Sequence, residues 1–163
     1  MNKLGNLVVV YDDNHISIEG DTKVSFGEDV LKRYEAYGWH VQHVDWLAGG
    51  EYHEDVQALH EALLAAEAET ERPSIIRLRT IIGWPAPNLQ NTGKAHGAAL
   101  GEAEVAATKK IMGFDPDKHF EVAPEVFEHV RKVGERGAEA HAAWNARLDE
   151  WRAANPQRAA EYD

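Results

Sequence analysis

The composition of this 163-residue chain excludes several classes of function. Its 28 acidic and 17 basic residues give a formal charge of -11, which argues against nucleic acid as a partner because binding a polyanion requires concentrated lysine and arginine. The absence of cysteine excludes disulfides and thiolate metal sites. No apolar run approaches the ~20 residues that span a bilayer, and the first residues lack the apolar core of a signal peptide. A soluble, cytoplasmic protein with no membrane partner is expected, and the chain is long enough for a domain with a real core.

The first half of the chain predicts alternating strands and helices. Residues 6–11 are continuously apolar, which favours a buried parallel strand over a strand with one solvated face. The remaining elements follow from helical spacing, from alternation and from Ala, Leu and Glu content. In chain order, the sequence predicts a strand over 6–11, a helix over 26–37 ended by Gly38, a strand over 39–44, a helix over 52–68 and a strand over 74–81. This order is typical of an α/β domain with a parallel sheet.

The second half predicts an irregular segment followed by helices. Glycine, proline and asparagine interrupt residues 83–101, a helix is predicted over 102–112, and Ala, Glu and Arg content predicts a long helix over 125–152. We divide the chain into a partial α/β domain over residues 1–113 and a helical extension over residues 114–163.

A polar turn follows the first predicted strand. Residues 11–18 read Tyr-Asp-Asp-Asn-His-Ile-Ser-Ile, and polar groups beyond the carboxyl ends of strands commonly bind ligands in α/β sheets. Asn14 offers a neutral carbonyl oxygen, and a main-chain carbonyl two residues later could be directed at the same point. Oxygen donors of this kind suit Mg2+. The other interpretation is an ordinary exit from a strand, since Asp and Asn favour turns.

The irregular segment over residues 83–101 holds the second candidate. Such a length without regular structure is uncommon in a compact domain and often functional, and a plain connecting loop is the alternative interpretation. His96 lies there between small residues, where an imidazole can approach a ligand and donate a hydrogen bond to a phosphate or sugar oxygen. A solvated loop histidine would look the same in the sequence. Lys94 lies nearby and could help to neutralise a phosphate.

Together these segments resemble the transketolase family, in particular its bacterial members. Residues 11–18 resemble the end of that family's thiamine diphosphate motif, and residues 80–101 resemble the loop that closes over the cofactor and the donor sugar. The run Glu-Ala-Tyr-Gly-Trp-His at residues 35–40 also matches. The resemblance implies an α/β fold in which a parallel sheet with flanking helices forms an incomplete thiamine diphosphate-binding domain, with a helical C-terminal extension.

The resemblance also implies roles for individual residues. The Asn14 side chain and the Ile16 main-chain carbonyl would bind Mg2+ and hold it against the diphosphate of the cofactor. His96 would contact both the diphosphate and the donor substrate, so it is the expected catalytic, cofactor-binding and substrate-binding residue. His15 falls at a variable position between the two metal ligands and is not counted as a ligand.

Parts of the family pattern are absent from this sequence. Transketolases carry Gly-Asp-Gly upstream of the asparagine, with its aspartate as a principal metal ligand, and this tripeptide does not occur in the chain. The pyrimidine-binding domain is not represented either. Asp12 and Asp13 are interpreted as turn residues, so they do not replace the missing carboxylate. The chain is therefore expected to be a fragment or a natural split subunit, and to be inactive alone.

For the complete enzyme, the resemblance implies a transferase that depends on thiamine diphosphate and Mg2+. It would move a two-carbon ketol unit from a ketose phosphate to an aldose phosphate, as in the pentose phosphate pathway. Sugar phosphates and a second subunit would be its partners, because the family is homodimeric. Two other interpretations stay open: a non-catalytic subunit of a split transketolase, and a cofactor-free interaction domain that kept the fold.

Overall fold

The computed structural model describes residues 3–163, which form two compact units that divide after Asp117. We call residues up to 117 the sheet unit and residues 118–163 the helical unit. The assignment of domains over 1–113 and 114–163 stays a prediction. The elements of the sheet unit are β1 (Val8–Asp13), β2 (Ile16–Ser17), β3 (Gly20–Asp21), α1 (Val30–Ala36), β4 (His40–Asp45), α2 (Val56–Ala68), β5 (Ser74–Arg79) and α3 (Glu102–Ile111).

The three long strands form a parallel sheet, which confirms the prediction from the alternation of strands and helices. Within the sheet the strands lie in the order β1-β5-β4. The central strand β5 is the most buried of the three, and Ile75 and Ile76 in it are almost completely buried. Helix α2 covers one face of the sheet, and the core there consists of Val44, Ala62, Ala66, Ile76 and Leu78. A short antiparallel hairpin of β2 and β3 follows β1 and was not predicted.

Two expectations about the first strand are wrong. Within residues 3–163, β1 pairs with β5 alone and lies at an edge of the sheet, so Val10 is 47% exposed and the strand is not the buried one expected. Asp12 and Asp13 are not turn residues, because β1 continues through both of them. They pair in register with Leu78 and Arg79 of β5. Continued pairing with β5 outweighs the local turn preference of aspartate.

Capping aspartates explain why two helices begin later than predicted. The Asp29 carboxylate accepts a hydrogen bond from the Lys32 main-chain N–H at 3.2 Å and starts α1, four residues after the predicted start. The Asp55 carboxylate accepts from the Ala58 main-chain N–H at 2.9 Å and starts α2 in the same way. An aspartate that satisfies these free N–H groups is a strong start signal, and it prevails over the apolar spacing upstream of it.

The helical unit contains α4 (Pro124–Ala154) and the short α5 (Pro156–Tyr162). Helix α4 confirms the predicted long helix, while α5 was not predicted. Asn155 has non-helical backbone angles and separates the two helices. The rings of Trp151 and Tyr162 meet edge to face with centroids 6.2 Å apart. Across residues 3–163, no helix is both long and apolar enough to cross a membrane.

Candidate functional site

The two segments singled out in the sequence come together at the carboxyl ends of β1 and β5. Asp13 and Arg79, the last residues of these parallel strands, lie in register, so the segments that follow leave the sheet at the same edge. His96 Nε2 lies 2.7 Å from the main-chain oxygen of Ile16, although the two residues are 80 positions apart. Since a carbonyl oxygen only accepts hydrogen bonds, the proton of this bond is carried by His96 Nε2.

The turn after β1 is held by the Asn14 side chain. Asn14 Oδ1 accepts a hydrogen bond from the Ile16 main-chain N–H at 2.9 Å, and Asn14 Nδ2 donates to Asp12 Oδ2 at 3.1 Å. His15, between Asn14 and Ile16, has a backbone φ of +63°, in the left-handed region that non-glycine residues seldom adopt. Residues held in such conformations are often found at functional sites. The two predicted metal ligands therefore lie on one strained turn, separated by a single residue.

The end of β5 supports this turn through contacts that the sequence did not reveal. Thr80 Oγ1 donates a hydrogen bond to Asp12 Oδ1. Arg79 Nη1 donates to the main-chain oxygens of Asp13 at 2.8 Å and Thr80 at 2.7 Å. The signal that could have found these contacts is the strand register, which places the ends of β1 and β5 side by side. These contacts fix the exits of both strands relative to each other.

Asp13 is directed to a separate cluster of charges. Its carboxylate lies 3.8 Å from Arg77 Nε and 3.3 Å from His15 Nε2. The cluster lines a pocket of about 190 Å³ together with Tyr11. Burial and the neighbouring Asp13 carboxylate raise the pKa of Tyr11, while burial and the Arg77 guanidinium lower the pKa of His43. The Asp13 carboxylate thus faces Arg77 and His15, whereas the Asp12 carboxylate bonds the Asn14 amide.

The loop that carries His96 is anchored at its start by Glu104 of α3. The buried Glu104 carboxylate accepts hydrogen bonds from the main-chain N–H groups of Asn88 at 2.7 Å and Leu89 at 3.0 Å, and from Asn88 Nδ2 at 2.8 Å. These bonds, first that of the Asn88 side chain and then those of the main chain, lower the pKa of Glu104 below its ordinary value of 4.5. The carboxylate therefore holds the loop while it is ionised.

The loop is also anchored beside the turn itself. Residues Gly93–His96 form a 3-10 turn that lies against the hairpin, and a Cβ atom at Gly93 would stand 2.4 Å from the main-chain oxygen of Ile18. The absence of a side chain at Gly93 thus permits the close approach that brings His96 to Ile16. At residue 84, close to the beginning of the loop, the Trp84 ring packs on Tyr52 with centroids 4.6 Å apart.

The donor atoms at the turn are few and neutral. Across residues 3–163 there is no group of three or more His, Asp or Glu side chains arranged to hold a metal ion. Asn14 Oδ1 and the Ile16 carbonyl each use one lone pair in the hydrogen bonds described above and keep a second. Lys94 and His96 line an adjoining open pocket of about 340 Å³. The turn therefore offers two oxygen ligands for a cation. The side chains of Lys94 and His96 are potential hydrogen-bond donors to an anion.

Comparison with known proteins identifies relatives along the whole chain. Residues 1–163 match the family model described as "Transketolase, thiamine diphosphate binding domain". The chain is 57% identical over 161 residues to the transketolase of Mycobacterium leprae, covering 99% of this chain and 22% of that protein. It is 46% identical over 160 residues to the transketolase of Nostoc, covering 98% of this chain and 23% of that protein.

Solved structures show the same relationship. The transketolase of Leishmania mexicana superposes with a TM-score of 0.85 at 35% identity, over 98% of this chain and 23% of that one. A transketolase from Pichia stipitis, solved in complex with sedoheptulose 7-phosphate, has a TM-score of 0.82 at 34% identity, with the same coverage of 98% and 23%. The present chain thus spans less than a quarter of the length of each of these relatives.

Proposed function

The chain belongs to the transketolase family, and from that premise we propose that it supplies part of a binding site for thiamine diphosphate and Mg2+. The observation that carries the proposal is the hydrogen bond between His96 Nε2 and the Ile16 carbonyl. It joins the two segments that resemble the family's cofactor motifs, at the carboxyl ends of parallel strands, where α/β folds bind their ligands. The family model described as a thiamine diphosphate binding domain supports the choice of cofactor.

Asn14 and Ile16 are the proposed Mg2+ ligands. Both offer neutral oxygens with a free lone pair, and Mg2+ prefers oxygen donors in octahedral geometry, commonly shared between protein, water and phosphate. Two protein oxygens fit an ion whose other ligands come from a diphosphate and from water. Asp13 is paired with Arg77, and both oxygens of Asp12 accept hydrogen bonds from protein groups, so neither carboxylate is assigned to the metal.

His96 is the proposed contact to the diphosphate and to the donor substrate. Its side chain lines the open pocket next to the turn, together with Lys94. The His96 Nε2–H donates to the Ile16 carbonyl in this structure, and in the proposed complex it turns to a phosphate or sugar oxygen, while the nearby ammonium favours an anion through its charge. Bound thiamine diphosphate supplies the carbanion chemistry of such enzymes. In this proposal the residues of the chain bind and orient the cofactor, and His96 also contacts the substrate.

The activity of the whole protein is a further part of the proposal. We propose transfer of a two-carbon ketol unit between sugar phosphates in the pentose phosphate pathway, by a cytoplasmic homodimer. Relatives solved with sedoheptulose 7-phosphate, xylulose 5-phosphate and fructose 6-phosphate support the substrate class. Because the chain spans 22% of its relatives from Mycobacterium, the activity is expected only together with regions that correspond to the rest of those proteins.

Titration calorimetry tests the cofactor site. Thiamine diphosphate is titrated into the 163-residue chain in the presence of Mg2+, and then into the Asn14→Ala and His96→Ala variants. We expect each substitution to weaken binding about tenfold or more, since the first removes a metal ligand and the second a hydrogen-bond donor to an anion.

Matched variants separate the site from general effects on the fold. Asn145→Ala and His60→Ala replace exposed residues of the same types on α4 and α2, and both are expected to bind like the parent chain. Circular dichroism checks that every variant is folded. Binding that is equally weak in all four variants, or unaffected by the changes at Asn14 and His96, would refute the assignment of the site.

A further inference from the structure

We propose that Asp12, anchored by Thr80, is a positioning residue that sets the orientation of the Asn14 amide and so presents its oxygen to a cation. The inference rests on the proposed function, because the orientation of the amide matters only if its oxygen binds Mg2+. It assigns a role to a carboxylate that is not itself a metal ligand. The structural evidence is a chain of hydrogen bonds from Thr80 through Asp12 to Asn14.

The orientation of the Asn14 amide is determined by its two neighbours. Asp12 Oδ2 lies 3.1 Å from Asn14 Nδ2, and an ionised carboxylate only accepts hydrogen bonds, so it selects the NH2 group. The Ile16 main-chain N–H only donates, and it lies 2.9 Å from Asn14 Oδ1. A flipped amide would place its oxygen against the carboxylate and its NH2 group against another N–H. Both contacts would then be repulsive.

Asp12 and its anchor are both positioned by the sheet, since Asp12 lies in β1 and Thr80 directly follows β5. Asp12 pairs with Leu78 in the ladder between β1 and β5, and Leu78 is buried. The hydroxyl group of Thr80, two residues after Leu78, donates a hydrogen bond to Asp12 Oδ1. Each carboxylate oxygen therefore has its own protein donor, and the side chain is held from two directions. Functional groups supported from regular elements are positioned more accurately than those supported by loops alone.

The orientation matters because the two ends of an amide have opposite chemistry. The oxygen can coordinate Mg2+, whereas the NH2 group has no lone pair available for a hard cation. Without Asp12, the Ile16 N–H would be the one contact left, among those of residues 3–163, that favours the correct orientation. Partners that orient a metal ligand typically change metal affinity by about 10–100-fold when they are removed. We therefore expect the loss of Asp12 to act on Mg2+ binding through Asn14.

A double-mutant cycle tests this coupling. The Mg2+ concentration for half-saturation is measured by titration at saturating thiamine diphosphate for the parent chain, Asp12→Ala, Asn14→Ala and the double variant. We expect Asp12→Ala to raise it about tenfold in the parent, and to have little further effect when Asn14 is already alanine. Asp12→Asn keeps an acceptor oxygen and should restore most of the affinity. An equal effect of Asp12→Ala in both backgrounds would overturn the inference.

Asp21→Ala is the matched control for damage to the hairpin. Asp21 lies in the same hairpin, and its carboxylate accepts a hydrogen bond from the Lys23 main-chain N–H at 2.8 Å. This substitution removes a capping carboxylate without touching the Asn14 amide. It should leave the Mg2+ requirement within about twofold of the parent, because Asp21 pairs with Ile16 only through its main chain, and its carboxylate is directed to Lys23. A rise as large as that of Asp12→Ala would show that general loosening of the hairpin explains both.

Nuclear magnetic resonance of the cofactor-free chain provides a readout that does not depend on binding. In the parent, the Asn14 side-chain NH2 protons should exchange with solvent more slowly than in Asp12→Ala, and Thr80→Val should have an intermediate effect. If the parent shows this protection but binds no cofactor with Mg2+, the proposed function of the chain fails while the orienting role of Asp12 is supported. An amide signal unchanged in Asp12→Ala would overturn the inference, whatever the cofactor does.

Discussion

The loop over residues 83–101 is irregular but partly buried, whereas helix α4 is regular but exposed. The loop has little regular structure, yet Ala86 is completely buried and Glu104 binds its backbone through two N–H groups. Helix α4 runs for 31 residues without burying any of them, and the apolar side chains of its first half are about half exposed. The loop is fixed by contacts with its neighbours, whereas the helix is formed by its own backbone hydrogen bonds.

This difference indicates where a substitution will have a large effect on stability and on the site. A helix carries its hydrogen bonds within the segment, so its formation depends on local propensity and capping. An irregular segment must find partners for its backbone elsewhere, and the loss of one partner leaves a polar group unsatisfied. The site depends on the second kind of order, because His96 reaches Ile16 only through the anchored loop.

The largest effect is expected from Gly93→Ala, which tests whether the loop is held by close packing. The added Cβ atom would lie 2.4 Å from the Ile18 main-chain oxygen, so either the loop or the hairpin must move. Overpacking of this kind typically costs about 1–3 kcal/mol. We expect a loss of unfolding free energy in this range in urea denaturation, together with weaker binding of thiamine diphosphate.

Gly97→Ala is the control in the same loop. An added Cβ atom at Gly97 would meet nothing within 4 Å, so we expect a change within about 0.5 kcal/mol. If Gly93→Ala were equally mild, the contact between the loop and the hairpin would be loose, and the loop would be a plain connector.

A smaller, pH-dependent effect is expected from Glu104→Gln. The pKa of Glu104 is lowered in the folded chain by its bonds to Asn88 and Leu89, so its ionised form stabilises the fold. This contribution is complete above the ordinary value of 4.5 and is lost as the pH falls through the lower folded value. The parent should therefore be more stable than the variant at neutral pH, and the difference should shrink in acid.

Thermal unfolding at several pH values measures this difference. Glu102→Gln is the control, since Glu102 is exposed on the same first turn of α3 and carries the same charge near the helix start. It should show only the small effect of a charge near a helix terminus. A gap between the parent and Glu104→Gln that stayed constant down to pH values well below 4.5 would contradict the assigned role of the carboxylate.

The sequence predicted regular elements better than it predicted the contacts between them. The apolar runs and helical spacing identified the parallel sheet and α4, because these patterns depend on burial and local propensity. The segments around Asn14 and His96 were identified through their resemblance to a family. The contacts of Asp12 with Thr80 and of Glu104 with the loop were missed, because they join residues 68 and 16 positions apart. Such pairs follow from strand register and loop path, which no local pattern encodes.

The smallest effect, of opposite sign, is expected from Gly137→Ala in the middle of α4. An added Cβ atom there would meet nothing within 4 Å, and alanine stabilises an exposed helix interior by about 0.5–1 kcal/mol relative to glycine. Amide hydrogen exchange should show about two- to fivefold greater protection in α4, since 1.4 kcal/mol corresponds to about a factor of ten. The same chemical change, glycine to alanine, would then destabilise the loop at Gly93 and stabilise the helix. A loss of protection in α4 would mean that Gly137 meets a neighbour in solution, and the view of α4 as a helix formed by its own backbone alone would be wrong.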